Sequence, residues 1–153
     1  MSARLNLFEK GQQGLNALFS VGAYLKKARV EQDLLALVEL RVSQINGCAY
    51  CLDMHYKDAE AMGMPVQKLY MAGVWKESSV HTAREKAALA WAEAVNAHHV
   101  PQEAFDDAKK HFSDEELIDL TLAVAGVSVW NKLNIAFSPL EPGSYATGQH
   151  TAA

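Results

Sequence analysis

The segment that most constrains this chain runs from Leu120 to Trp130, Leu-Thr-Leu-Ala-Val-Ala-Gly-Val-Ser-Val-Trp, and carries no charged side chain. Just before it, Ser113-Asp-Glu-Glu116 has the form of a capping box, in which the Ser hydroxyl and the Glu carboxylate satisfy amides left open at a helix start. Together they predict one helix over 113–135. A helix that is apolar around most of its girth is buried on several sides. A small all-α domain has few central positions, so part of this surface is expected to meet another subunit. The plainer alternative is a central helix inside a monomer.

The remaining signals are helical as well. Val, Ile and Thr do not alternate with polar residues over any stretch long enough for a strand. Helical regions are predicted over 4–26, with a break near Gly11 or Gly22, and over 31–45, where Leu34, Leu35, Leu37, Val38, Val42 and Ile45 recur at helical spacing. Asn46-Gly47 breaks the pattern, because both residues tolerate positive φ. Helices then follow over 48–62, 65–76, 82–96 and 101–111. Gly63 suits a helix stop, Pro65 and Pro101 suit first turns, and Thr82-Ala-Arg-Glu85 is a further capping box. From Ser138 the chain is rich in Pro, Gly, Ser and Thr and reads as an extended arm or loose tail. The expected fold is one all-α domain of six to seven helices over residues 1–137, with a C-terminal arm at 138–153.

Composition narrows the class. The 153 residues are 50% hydrophobic and 21% charged, as in a globular domain and unlike a disordered chain. No uninterrupted apolar run reaches about 18 residues, so no membrane span is expected. Lys plus Arg number 14 against 18 Asp plus Glu, a net charge of −4, which offers no electrostatic footprint for nucleic acid. Residues 15–25 are moderately apolar, but they follow Glu9 and Gln12-Gln13 and contain Asn16 and Ser20. They read as helix rather than as a signal segment, and the expected location is cytoplasmic.

The only cysteines are Cys48 and Cys51, in Cys-Ala-Tyr-Cys. A disulfide-stapled secreted fold would use more, and a bridge across so short a loop stabilises least. On a helix, Cys51 and His55 are four apart and share a face, and Cys48 lies three before Cys51. Thiol chemistry needs the thiolate; a free thiol titrates near about 8.5, and a helix N-terminus or a neighbouring His lowers that value. A helix restarting at Cys48 offers both thiols the positive end of its dipole. His55 can take the Cys51 proton or stabilise its thiolate, and Glu39, on the preceding helix, is the nearest carboxylate able to orient it. Such a pair can reduce a peroxide through a sulfenic acid and a disulfide, with an external dithiol resetting the cycle. Half of a zinc site and incidental thiols are the competing readings. Zinc normally takes four ligands, no second Cys-x-x-Cys follows, and His98-His99 are adjacent, so no metal is expected.

Other residues have blander readings. Arg41 is expected to pair with Glu39 or a partner chain, and Ser43 to bond the backbone four residues earlier. Trp91 and Trp130 are expected in the core, although Trp130 can wall the thiol pocket. His81, His98, His99, His111 and His150 are expected on solvated surfaces, and Asp53 and Asp58 on the solvent face of the cysteine helix.

The stretch Leu-Arg-Val-Ser-Gln-Ile-Asn-Gly-Cys-Ala-Tyr-Cys from Leu40 to Cys51, followed by His55, resembles the alkylhydroperoxidase D-like (AhpD-like) branch of the carboxymuconolactone decarboxylase family. The segments from Thr82 to Trp91 and from Leu120 to Asn134 resemble it too, so the likeness covers most of residues 30–137. It implies small all-α subunits assembled as trimers or hexamers. It implies Cys51 as the peroxide-attacking thiol, Cys48 as the resolving thiol and His55 as the base or proton relay. It implies no metal, haem or flavin, and a dithiol or lipoyl-carrying electron donor. Two positions depart from the branch. Its relay Glu falls at Ala36 here, with Glu39 one turn later as a possible replacement. The residue before the second Cys, His in the best-known peroxidases, is Tyr50, and a phenol of pKa about 10 is a poor base at neutral pH. The expected activity is a thiol-dependent peroxidase or hydroperoxide reductase. The alternatives are a general thiol–disulfide oxidoreductase and a non-enzymatic redox sensor.

Overall fold

A computed structural model of the chain describes residues 3–149. Among these residues the regular structure is helical throughout: α1 (Leu7–Lys10), α2 (Gln12–Leu25), α3 (Gln32–Asn46), α4 (Ala49–Ala61), α5 (Val66–Met71) with a 3-10 turn (Ala72–Val74), α6 (Ala83–Asn96), α7 (Gln102–Ala108) and α8 (Asp114–Phe137). Eight α-helices replace the expected six to seven because the first region is cut at Gly11, while Gly22 lies inside α2. At Gly11 a Cβ would sit 2.9 Å from the Leu7 carbonyl oxygen, so only glycine lets the chain turn so closely on α1. Both capping boxes form, at Thr82 and at Ser113.

Helix α3 is the axis of the bundle. Leu37, Val38, Leu40 and Val42 have no exposed surface, and they face two different clusters. On one side Val38 and Val42 pack with Trp91 of α6 and Leu120 and Val124 of α8. On the other, Leu37 and Leu40 pack with Ala59 of α4, Leu69 of α5 and Leu89 of α6. A helix covered on both flanks holds its ends rigidly, and the cysteines follow its C-terminal end directly.

Helix α8 packs against α2, α3, α6 and α4. It is long and apolar enough to cross a membrane by length and composition alone. Its inner face carries the buried polar groups Asp119 and Asn131, which find partners inside the bundle. Its outer face leaves Ile118, Val129 and Ile135 exposed.

Two surface assignments are corrected. His81 is buried, its ring held between the Ser78 hydroxyl at 3.0 Å and the Lys68 carbonyl at 3.1 Å. Asp58 does not simply face solvent: it accepts the Tyr145 hydroxyl at 2.8 Å. Of the two readings of the C-terminal segment, the described residues up to 149 fit the arm, which docks on α4 through Tyr145. Lys57 also donates to the Tyr145 carbonyl at 3.0 Å, and the buried Tyr145 ring meets Tyr50 edge-on with centroids 6.2 Å apart. His98 and His99 are exposed and His111 is half-buried; His150 lies outside the described residues.

The buried Asp119 latches α2 onto α8. It accepts the Tyr24 hydroxyl at 2.6 Å and the Arg29 backbone N–H at 3.0 Å. Asp119→Ala removes the acceptor of both donors and should lower unfolding stability by about 2 kcal/mol, whereas Tyr24→Phe, at an exposed hydroxyl, should cost less. Urea denaturation checks the order: equal losses in the two variants would show that the carboxylate is not the latch.

Candidate active site

Cys48 occupies the N-cap of α4, with extended backbone (φ −85°, ψ 98°). Gly47 before it takes the left-handed conformation, φ 69°, that closes α3. The Cys48 N–H donates to the Ser43 carbonyl at 3.2 Å, and the Cys48 sulfur accepts the Cys51 N–H at 3.3 Å. An N-cap residue stands half outside its helix, which lets the two sulfurs meet. Cys48 and Cys51 are joined in a disulfide, with Cα atoms 5.3 Å apart.

The turn between α3 and α4 is held by a polar network in an otherwise apolar interior. The Asn46 side-chain amide donates to Asn131 Oδ1 at 2.9 Å, and Asn131 Nδ2 donates to Ser43 Oγ at 3.1 Å. Asn46 and Asn96 exchange hydrogen bonds across to α6. Ser43 thus receives a bond from α8, a long-range role that local spacing did not suggest.

Glu39 reaches His55. Its Oε2 lies 3.5 Å from His55 Nδ1, a polar contact longer than an ordinary hydrogen bond. Ala36, at the family's glutamate position, packs into the core instead. The His55 side chain is 12% exposed and that of Glu39 is 28% exposed. Burial, helped by the negative charge of Asp58, pushes the Glu39 carboxyl up to about 7. Burial pushes the His55 imidazole down to about 4. Near neutral pH the imidazole is therefore uncharged and free to accept a proton, beside a carboxyl balanced between its two states. Tyr50 is buried, and its phenol is raised by burial and by the charges of Asp53 and Asp58, so it supplies no base.

Arg41 does not pair with Glu39. It crosses to α6 and binds Glu93, both Nε and a terminal nitrogen lying 2.8 Å from Oε1, where Trp75 Nε1 also donates at 2.8 Å. Trp91 is in the core and donates to Thr121 at 3.1 Å. Trp130 instead lines a cavity of about 480 Å³ and packs against Phe19 with ring centroids 5.3 Å apart. Cys51, Glu39, His55 and Asn134 also line this cavity, and Pro139 and Leu140 of the C-terminal arm complete one side. Most of its remaining lining is apolar. Cys48 is not part of the wall, so Cys51 is the sulfur presented to whatever enters.

Asn134 is the site residue that the sequence reading left without a role. Its Nδ2 lies 3.5 Å from the Cys51 sulfur and 3.1 Å from the Trp130 carbonyl. The available signal was a polar amide one turn after Trp130, at the end of an apolar helix. Among the described residues, no group of three or more His, Cys, Asp or Glu side chains is placed to hold a metal ion.

The model of the carboxymuconolactone decarboxylase family matches residues 12–94. The protein YdfG of Bacillus subtilis (strain 168) is 33% identical over 139 residues, which cover 89% of this chain and 95% of YdfG. The solved structure of an Agrobacterium tumefaciens protein of unknown function, described as a candidate antioxidant defence protein AhpD, is 34% identical with a TM-score of 0.87. That match covers 92% of this chain and 99% of the other. The debrominase Bmp8 shares the fold at 22% identity and a TM-score of 0.80, over 89% of this chain and 75% of its own.

The opposed shifts of the Glu39–His55 pair make opposite contributions to stability. Glu39 keeps a proton that the unfolded chain loses near 4.5, so its contribution is full below that pH and is lost as pH rises towards about 7. His55 stays uncharged where the unfolded chain is protonated, so its contribution is full above 6.5 and is lost as pH falls towards about 4. Glu39→Gln retains only the second. Its stability relative to wild type should therefore increase between pH 4.5 and 7 in urea titrations, and a difference independent of pH would contradict a buried carboxylic acid here.

Proposed function

Because the chain belongs to the carboxymuconolactone decarboxylase family, we propose that it is a thiol-dependent peroxidase of the AhpD type, cycling between the Cys48–Cys51 dithiol and disulfide. The observation that carries this reading is the Cys51 sulfur opening onto an apolar cavity that also holds Glu39 and His55. His55, one turn from Cys51, accepts the thiol proton, and Glu39 stabilises the imidazolium that results. The Cys51 thiolate attacks one peroxide oxygen. The O–O bond breaks, the alkoxide or hydroxide leaves with a proton returned by the relay, and Cys51 becomes a sulfenic acid. The Cys48 thiol then bonds to the Cys51 sulfur, the S–O bond breaks and water leaves. Two electrons have passed from two thiols to the peroxide. An external dithiol, lipoyl-borne in the best-known relatives, restores the pair by exchange. No metal, haem or flavin takes part in this scheme, and the supply of reducing equivalents fits a cytoplasmic setting. The exposed Ile118, Val129 and Ile135 of α8 support assembly into a homo-oligomer, a trimer or hexamer.

A second reading, general thiol–disulfide exchange with little peroxide turnover, is favoured by one observation. Tyr50 stands where the best-known peroxidases carry His, and its raised pKa removes it as a base.

Steady-state consumption of cumene hydroperoxide with a dithiol donor separates the two. Cys51→Ser should abolish turnover and sulfenic acid formation. Cys48→Ser should abolish turnover while leaving a sulfenic acid that dimedone traps at Cys51. His55→Ala should slow trapping by about 10²-fold. The wild-type rate should rise with pH through about 7, as Glu39 loses its proton, and Glu39→Gln should flatten that rise. Fast disulfide exchange without peroxide consumption would replace the peroxidase reading with the second.

A further inference from the structure

We infer that Asn134 is a catalytic group of this site, whose side-chain N–H holds the Cys51 sulfur in the thiolate form. The inference deepens the peroxidase reading and rests on it for its catalytic meaning.

The geometry fixes the amide. A primary amide has two N–H donors on one nitrogen. Asn134 Nδ2 reaches the Trp130 carbonyl at 3.1 Å, one turn back on α8, and the Cys51 sulfur at 3.5 Å. A carbonyl oxygen can only accept, so the atom that faces the Trp130 carbonyl is the amide nitrogen and not its oxygen, and the same nitrogen faces the sulfur. One N–H is used in anchoring and the other is directed at the sulfur. The anchor lies on a long helix packed against α2, α3 and α6, so the donor is preset and does not reorganise when charge arrives.

The site needs such a donor. Cys48, at the N-cap, already receives the Cys51 N–H and the positive end of α4, so the helix favours the thiolate of the residue that does not face the cavity. Cys51 is only 1% exposed, among mostly apolar neighbours, which raises a thiol pKa. The titratable groups facing the cavity are Glu39 from α3, Tyr50 and His55 from α4, and Lys26 at the end of α2. Lys26 is exposed, His55 is uncharged near neutral pH, and Glu39 brings negative charge when ionised. None of these places a fixed positive charge on Cys51. Asn134 is the side chain whose N–H does reach it, and a neutral donor stabilises a thiolate without adding a charge that the apolar cavity would have to bury.

The chemical steps are those of the cycle above. Asn134 stabilises the electron pair on Cys51 before it is transferred to the peroxide oxygen, and it neither gains nor loses a proton.

The test uses the full-length chain carrying Cys48→Ser, so that one thiol remains; Ser is a favourable N-cap, so the start of α4 is preserved. The pH dependence of iodoacetamide alkylation reads the Cys51 thiol directly, without peroxide. Asn134→Leu, similar in size and lacking donors, should raise its pKa by about one or more, and Asn134→Asp, of the same shape with a carboxylate, should raise it further. Sulfenic acid formation with cumene hydroperoxide at pH 7 should fall about tenfold in Asn134→Leu and recover above the new thiol pKa. A merely structural loss would not recover with pH. An unchanged alkylation profile in either folded variant overturns the inference. A raised profile in a protein that consumes no peroxide upholds Asn134 as the thiolate donor and discards the peroxidase reading instead.

Discussion

The site depends on one boundary, the meeting of the C-terminal end of α3 with the N-terminal end of α4 at Cys48. An N-cap residue has extended backbone while the next residues are already helical. That half-in, half-out position brings a sulfur at position 48 onto a sulfur three residues later without unwinding α4. The boundary is held in place by the left-handed Gly47, by the Cys48 N–H on the Ser43 carbonyl, and by the Asn46–Asn131–Ser43 bonds to α8. A buried polar network of this kind is costly when partly satisfied and rigid when complete. Here no fully enclosed side-chain nitrogen or oxygen among the described residues lacks a partner.

Burial around the dithiol sets its electrostatics. Moving a carboxyl and an imidazole out of water disfavours the charged form of each, so the carboxyl pKa rises and the imidazole pKa falls. Each shift alone would weaken an acid or a base. Together they favour the neutral pair, a protonated carboxyl beside an uncharged imidazole, at pH between about 4 and about 7. In the peroxidase cycle proposed above, such a neutral imidazole beside a protonatable carboxyl would suit a thiol that has to lose a proton inside an apolar cavity.

Much of this was legible in the sequence, and the reason is locality. The Cys-x-x-Cys-x-x-x-His spacing, the Asn-Gly break and the two capping boxes are encoded within a few residues, and each reappears where its local chemistry put it. Glu39 was legible as a face of α3, but its contact with His55 depends on how α3 and α4 cross. Arg41 was misassigned for the same reason, because its partner lies on α6, far along the chain. His81 and Asp58 were misjudged, and the C-terminal segment was left open between arm and tail, because polar residues in loops and tails read as solvated unless their partners are known. Tyr145 looks like a tail residue in sequence, yet a ring edge-on to Tyr50 and a hydroxyl on Asp58 bury it.

Helix α8 shows why an apolar run can hide function. Its composition announces packing, and the bundle does use Leu120, Val124 and Val127 for that purpose. Asn131 and Asn134 lie three apart near its C-terminal end, so they point to neighbouring parts of one face. The first reaches Ser43 and Asn46 beneath the α3–α4 turn, and the second reaches the Cys51 sulfur. Each amide would be expensive to bury unpaired, and each is paired with the segment that carries the dithiol. The same face that seals the core therefore registers the turn and contacts the Cys51 sulfur, so a shift of α8 along its axis would disturb both at once. That coupling places a demand on the packing of α8 that its apolar side chains alone would not impose.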